Sequence, residues 1–351
     1  MNDPTARPSV VTRHRITRTQ ACTMLAGAAV LGRMLEPTAA AASAQDLPTL
    51  ACGLIGKTAS QWPWYVGDQL GFFKKHGVGV QLIVVGSVAS CAQQLTAGAL
   101  NVGEVSSTQV VEAVKGGAQL KYVVNGIENP PYWLVAKREI RSIGQLKGKT
   151  IIIGGVNDIT HLFLDAMMTP SGLRPDDYTL TYAGATNVRY AALLSGSVDA
   201  ALLFPPYSFI AEGQGYANLG NSLTYFGSFP FIGATAGMPW AETHPAAMLA
   251  FVKGYLESVR WLNDQRNKAE AVKILASQTN IDAAIAAKSY DALFTQLHAF
   301  SLTGVTRAQE MAKVVSSLIK LKQIDPPAPP PEQFFDNRFV ERAIADLKRE
   351  R

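Results

Sequence analysis

Polar side chains able to hold a small anion recur in this sequence at one kind of place, the turn where a short apolar run gives way to a helix-like segment. In the first half these are Ser87, then Ser106 and Ser107 followed by Thr108; farther along they are Asn157, Thr160, Thr186 and Asn187. Free backbone N–H groups and the helix dipole at such turns bind anions or polar carbonyls without needing a lysine or arginine. The loop Thr58–Trp64 adds Gln61 and two flat apolar groups, Trp62 and Trp64, and Tyr132, Phe204 and Phe231 extend the supply of apolar wall. Each type also has a purely structural use. Ser or Thr at a helix start caps it, and aromatics fill cores, so two or three of these five aromatics are expected at a binding surface. Cations are scarce: His161 and Arg189 are the two near these turns, whereas a buried doubly charged ligand calls for a bidentate arginine. The set points to a small organic ligand with at most one or two negative groups and a substantial apolar or aromatic part. Aromatic carboxylates, sulfonates and pyrimidines fit that description better than bare nitrate.

Covalent and metal chemistry find less support. Cys91 lies near a helix start, where a thiolate is stabilised, but no histidine is close in sequence to act as its base, and Thr58–Trp64 holds no cysteine. No His/Cys spacing resembles a zinc site, no Gly-x-x-x-x-Gly-Lys-Ser/Thr phosphate loop occurs, and no cofactor is expected. Cys52 and Cys91 either form one disulfide or serve as buried small hydrophobes.

The elements that must position these residues follow from periodicity. Leu50–Ile55, Val80–Val85 and Val102–Val105 read as strands, and Tyr65–Lys75 and Ala89–Ala97 as helices. This alternation predicts parallel βα units. An internal repeat at an offset of 98 residues extends it. Leu54-Ile55-Gly56 falls on Ile152-Ile153-Gly154; Val80, Leu82, Val84 and Gly86 fall on Tyr178, Leu180, Tyr182 and Gly184; and Leu95, Gly98 and Asn101 fall on Leu193, Gly196 and Asp199. The expected fold is α/β: two similar α/β lobes joined by a two-strand hinge, with a C-terminal helical segment packing on the first lobe. Tyr132–Ala136 leads out of the first lobe and Phe231–Ala236 leads back. Residues 45–135 and 235–325 are assigned to lobe 1, residues 136–234 to lobe 2, and residues 326–351 to a Pro-rich connector and terminal helix. The strand-end loops of both lobes then face one cleft.

Composition agrees. The chain has 351 residues, 48% apolar and 17% charged, enough for about two domains with large cores. Of the net charge of +5, residues 1–44 supply +3, from five arginines against Asp3 and Glu36. The remainder is too weakly basic for a nucleic-acid binder. Residues 13–18 read Arg-His-Arg-Ile-Thr-Arg, Ala21–Gly32 is a short apolar block, and Ala42-Ser43-Ala44 is a cleavage box. Together they predict a signal peptide over 1–44 and export to the periplasm, with the Sec and twin-arginine routes both open.

At this point the residues resemble a known group. Trp62-Pro-Trp-Tyr through Leu70-Gly-Phe-Phe-Lys-Lys-His-Gly77-Val is similar to the opening of the substrate-binding proteins of ABC importers for nitrate, alkanesulfonates, taurine and thiamine pyrimidine precursors. The Leu-x-x-Gly-x-x-Asp-like elements Leu95–Gly103 and Leu193–Ala201, the run Leu146-Lys-Gly-Lys-Thr-Ile151 and the stretch Gly155–His161 match the same family in order. The resemblance implies a type II periplasmic binding protein fold, a monomer, and capture of a small molecule by lobe closure. It also implies delivery to a membrane permease driven by a separate ATPase, with His161 among the ligand contacts. Relatives in the fold group also imply the alternatives of a pyrimidine synthase-like or desulfinase-like enzyme, or of a ligand-sensing receptor.

Overall fold

The computed structural model describes residues 47–350, so the expected signal peptide over 1–44 lies outside the described residues. The strands are β1 (Thr49–Leu54), β2 (Gly79–Val84), β3 (Val102–Ser106), β4 (Leu120–Ile127) and β5 (Trp133–Ala136). They continue as β6 (Thr150–Ile153), β7 (Thr179–Tyr182), β8 (Ala200–Leu203), β9 (Ala217–Asn221) and β10 (Ile232–Gly237). Two five-stranded sheets result, ordered β2-β1-β3-β10-β4 and β7-β6-β8-β5-β9. In each the first three strands are parallel. The next is antiparallel and comes from the far side of a crossing, β10 in the first sheet and β5 in the second. Each sheet therefore carries one strand that the chain inserts after or before visiting the other lobe.

The repeat survives in three dimensions with one correction. Cys52 pairs with Leu82 and Val102, and Ile151 pairs with Leu180 and Ala200. The second and third strands of the two lobes are thus 98 positions apart, as expected, but the first strands are 99 apart. A gapless alignment puts Leu54 on Ile152, whereas the ladder puts it on Ile153. A slip of one residue exchanges the two faces of a strand, so the pairing partners, and not the match of neighbouring letters, decide the register. The polar residue kept by both copies explains itself here. Asn101 Oδ1 accepts the Ala51 N–H at 2.8 Å and Asp199 Oδ2 accepts the Thr150 N–H at 2.9 Å. In return the N–H groups of Asn101 and Asp199 donate to the Ala51 and Thr150 carbonyls. Each side chain clips the start of its lobe's first strand to the turn before the third. Gly98 and Gly196 end the preceding helices in the same left-handed conformation, φ 74° and 76°.

Close packing of the first lobe depends on small residues. A Cβ on Gly103 would lie 2.4 Å from Cys91 Sγ, so glycine in β3 lets helix Val88–Thr96 settle on the sheet. Cys52 and Cys91 are both buried and both free.

Two crossing segments join the lobes and bond to each other: Phe229 N–H donates to the Glu128 carbonyl and Phe231 N–H to that of Ile127. Beyond β10, helix Pro245–Asn263 packs its buried face against helices Trp62–Gln69 and Phe72–Lys75 of the first lobe. Helix Ala283–Tyr290 also reaches the second lobe, where Lys288 pairs with Glu212 and lies 4.7 Å from the Phe209 ring centre. The Pro-rich stretch ends in Phe335, which bridges to Tyr122 of β4, and Val340, Ala343 and Leu347 of the terminal helix are buried. The terminal segment thus packs on the first lobe. Among the described residues no helix is long and apolar enough to cross a membrane.

Candidate functional site

The strand-end loops of the two sheets meet. The Ala59 N–H donates to the Pro205 carbonyl at 3.0 Å. Gly184 stands against Ser87 and the Gly86 carbonyl, where a Cβ would fall 2.7 Å from Ser87 Cβ. On one flank Gln323 Nε2 donates to the Val156 carbonyl at 3.1 Å.

Of the hydroxyl and amide candidates, most are already engaged. Ser87 caps helix Val88–Thr96 by accepting the Ser90 N–H, and Ser106 caps helix Ser107–Lys115 by accepting that of Gln109. Thr160 Oγ1 accepts the Gly154 N–H and donates to Asp158; Thr186 Oγ1 accepts from Arg189 Nη2. Gln61 is wholly buried and spent: its Oε1 accepts from the Thr58 N–H and Oγ1, and its Nε2 donates to Ser60 Oγ and to Glu104. Asn157 and Asn187 are exposed. His161, half-buried, donates from Nδ1 to the Val156 carbonyl at 2.7 Å, which ties the ring to its own loop. Ser107 differs. It is fully buried, its N–H donates to the Phe231 carbonyl, and its Oγ has no partner. Ser208, at the facing start of helix Tyr207–Gly213, also has a buried hydroxyl without a partner.

The five aromatics separate. Trp62 and Trp64 are corrections to the expected wall: both lie in the core between the first lobe and the C-terminal helices. Trp62 Nε1 donates to the Ala271 carbonyl and its ring meets Tyr290 and Phe294; Trp64 meets Phe251 and Tyr255. The apolar C-terminal helices give these rings a dry neighbour that the loop alone did not reveal. Tyr132, Phe204 and Phe231 instead assemble beside the crossing segments, with Phe204 and Phe231 ring centres 5.4 and 5.6 Å from that of Tyr132 and Phe163 completing the cluster.

The electrostatics hold further surprises. Arg189 is only 1% exposed, and its guanidinium donates to the carbonyls of Leu202, Ala183 and Gly184 and to Thr186. It braces the second lobe's loops, 5.7 Å from the Tyr132 ring centre. Glu104, in β3, is a buried carboxyl that sequence reasoning passed over. Burial pushes it up to about 7, against hydrogen bonds from Gln61, Ser60 and the Ile55 N–H. Its signal was legible, a lone charge in the apolar run Val102–Val105. Glu112 of helix Ser107–Lys115 is pushed up to about 7 by burial and by Asp158 across the lobe contact. Tyr65 and Tyr207, also unforeseen, bring phenols from the two lobes into electrostatic reach of each other. Among the described residues no group of three or more His, Cys, Asp or Glu side chains is placed to hold a metal.

Burial pushes the Cys52 and Cys91 thiols well up, away from the thiolate a nucleophile requires. Both are expected to resist an aromatic disulfide reagent at pH 8 in the folded protein and to react within minutes in guanidinium. With Cys22→Ser in place, rapid titration of any thiol in the native protein would contradict this packing.

Comparison with known proteins agrees with the geometry. The sequence pattern of the family described as NMT1/THI5 like matches residues 59–226. The bicarbonate-binding protein CmpA of Synechococcus elongatus is 24% identical over 275 residues, 69% of this chain and 60% of that protein. The chain thus spans about three fifths of the length of the curated relatives it matches. Among solved structures, the alkanesulfonate-binding protein SsuA from Xanthomonas axonopodis pv. citri bound to MOPS superposes with a TM-score of 0.67 at 20% identity, covering 81% of this chain and 96% of its own. The periplasmic nitrate-binding protein NrtA from Synechocystis PCC 6803 gives 0.72 at 11%, covering 86% and 90%. The desulfurization enzyme DSZB shares the fold at 0.61 and 11%, covering 87% and 100%. At these identities the likenesses establish the fold, that of the type II periplasmic binding proteins.

Proposed function

We propose that this chain, NMT1/THI5-like over residues 59–226 and folded as a type II periplasmic binding protein, captures a small organic anion or aromatic compound between its lobes. It is exported to the periplasm, acts as a monomer, and hands its cargo to an ABC permease whose ATPase supplies the energy. The observation that carries this reading is Ser107. A buried hydroxyl without a partner is costly, and this one stands at the first turn of helix Ser107–Lys115, where N–H groups and the helix dipole favour negative charge. Its backbone bond to Phe231 places it beside the aromatic cluster of Tyr132, Phe204 and Phe231. An anionic head on the Ser107 side and an aromatic body against the rings satisfy both features. The bicarbonate, alkanesulfonate and nitrate binders it resembles support an anionic cargo, and the buried, protonated thiols speak against an enzyme of the cysteine-nucleophile kind.

A thermal-shift panel of benzenesulfonate, benzoate, taurine, bicarbonate and nitrate tests it. An aromatic anion is expected to raise the melting temperature of wild-type protein. Ser107→Ala is expected to weaken that binding by about tenfold, the worth of one hydrogen bond to a charged group. Because Oγ is buried without an internal partner, the same variant should melt no lower than wild type without ligand. Stabilisation by nitrate alone would overturn the preference for an organic cargo.

A further inference from the structure

We propose that closing of the two lobes takes up one proton from solvent at Glu104, and that opening releases it. This rests on the lobe-closure reading above. The geometry is that of a lid over a carboxyl. Glu104 projects from β3 beneath the turn Thr58–Gln61, and that turn is one hydrogen-bonded unit: Thr58 Oγ1 joins Ser60 Oγ at 2.9 Å, and Gln61 Nε2 joins Ser60 Oγ at 2.7 Å and the Glu104 carboxylate. The same turn reaches the second lobe through the Ala59 N–H and the Pro205 carbonyl. When the lobes part, the turn loses its outer partner and faces water, and solvent gains a path to the carboxyl beneath it.

Charge decides the direction. The ionisable groups around Glu104 are Tyr65 from helix Trp62–Gln69, Cys91 from helix Val88–Thr96, Tyr122 from β4 and Tyr255 from helix Pro245–Asn263, and none is cationic. Tyr65 and Tyr122 hold buried hydroxyls with no partner and add no donated bond. Under the closed turn the carboxyl keeps its proton up to about pH 7, whereas a hydrated glutamate loses it near 4.3. The closed form therefore binds more protons between those values, and closure is favoured at low pH and weakened as pH rises through 7. With one proton involved, the closed-to-open ratio changes by up to about tenfold between pH 6 and pH 8.

Hydrogen exchange at the Ala59 amide reads this directly in the full chain, without added ligand. Expressed as a protection factor, corrected for the intrinsic pH dependence of exchange, Ala59 in the wild type is expected to lose about fivefold to tenfold between pH 6 and pH 8. The Thr150 amide, in the second lobe, should hold steady. Glu104→Gln, which cannot ionise, should keep its Ala59 protection at both pH values. Equal wild-type protection at pH 6 and 8, an equal fall at Thr150, or a pH dependence that survives in Glu104→Gln would each overturn the proposal. The wild-type profile decides alone if the variant fails to fold. A blank ligand panel would leave a positive exchange result standing, and a flat exchange profile would leave the capture reading standing.

Discussion

Arg189→Met should lower the melting temperature by about 6–20 °C, the largest effect expected of any single substitution near the lobe contact. The wild-type guanidinium serves the carbonyls of Leu202, Ala183 and Gly184 and the Thr186 hydroxyl, all with the side chain 1% exposed. Methionine fills much of the volume but donates nothing, so three carbonyl groups in or beside the strand-end loops lose their donor. Each unsatisfied buried group costs about 1–3 kcal/mol. Some readmission of water brings the total to about 3–5 kcal/mol, and a chain of this size shifts by about 2–4 °C per kcal/mol. Arg189→Lys should recover only part of the loss, because an ammonium cannot present the planar fork that reaches carbonyls on two sides. Thermal melts followed by circular dichroism measure both; a change under about 2 °C in Arg189→Met would show that the arginine is dispensable to the fold.

The second large effect concerns the clip shared by the two lobes. Asp199→Leu removes the acceptor of the Thr150 N–H and the partner of Lys137 Nζ, 2.8 Å away. A part-buried amide and an ammonium are left behind, at a cost of about 2–3 kcal/mol. Asn101→Leu removes the corresponding acceptor of the Ala51 N–H in the first lobe but strands no cation, so about 1–2 kcal/mol is expected. The two should also differ in pH dependence. Despite some burial, the Lys137 ammonium and the Thr150 N–H hold the Asp199 carboxyl below its usual range. A depressed carboxyl contributes stability that is present above its unfolded value, near 4, and is lost as pH falls through the folded one. The gap between wild type and Asp199→Leu should therefore narrow below pH 4, while that for Asn101→Leu has no such source of pH dependence. Urea melts at pH 7 and pH 3 test this, and equal gaps at both pH values would remove the charge from the explanation.

Much of the lobe architecture was legible because its determinants are local. Apolar runs of strand length, glycines at helix ends and a polar residue six positions beyond each repeated leucine (Leu95 to Asn101, Leu193 to Asp199) start or stop an element whatever lies around them. A gapless repeat falls one residue out in its first strand because neighbouring apolar letters look alike on both faces of a strand, and only the partner across the ladder distinguishes them. The fate of the candidate site residues was less legible. Trp62, Trp64 and Phe204 are similar as letters, yet Phe204 lies with Tyr132 while the two tryptophans lie against Phe294 and Phe251, residues some 190 to 230 positions away in sequence.

The sequence by itself determined two like-built α/β lobes, their two crossings, the helical C-terminal segment and the turns at which polar groups gather, since each is written in short-range periodicity and turn chemistry. Tertiary structure alone decided which of those polar groups are spent and which are left over. Ser87, Ser106, Thr160 and Thr186 are engaged while Ser107 is not, Arg189 is consumed by carbonyls, and Glu104 is enclosed without a cation. Hydrogen-bond satisfaction and desolvation are sums over every neighbour in space, and most of those neighbours come from distant parts of the chain.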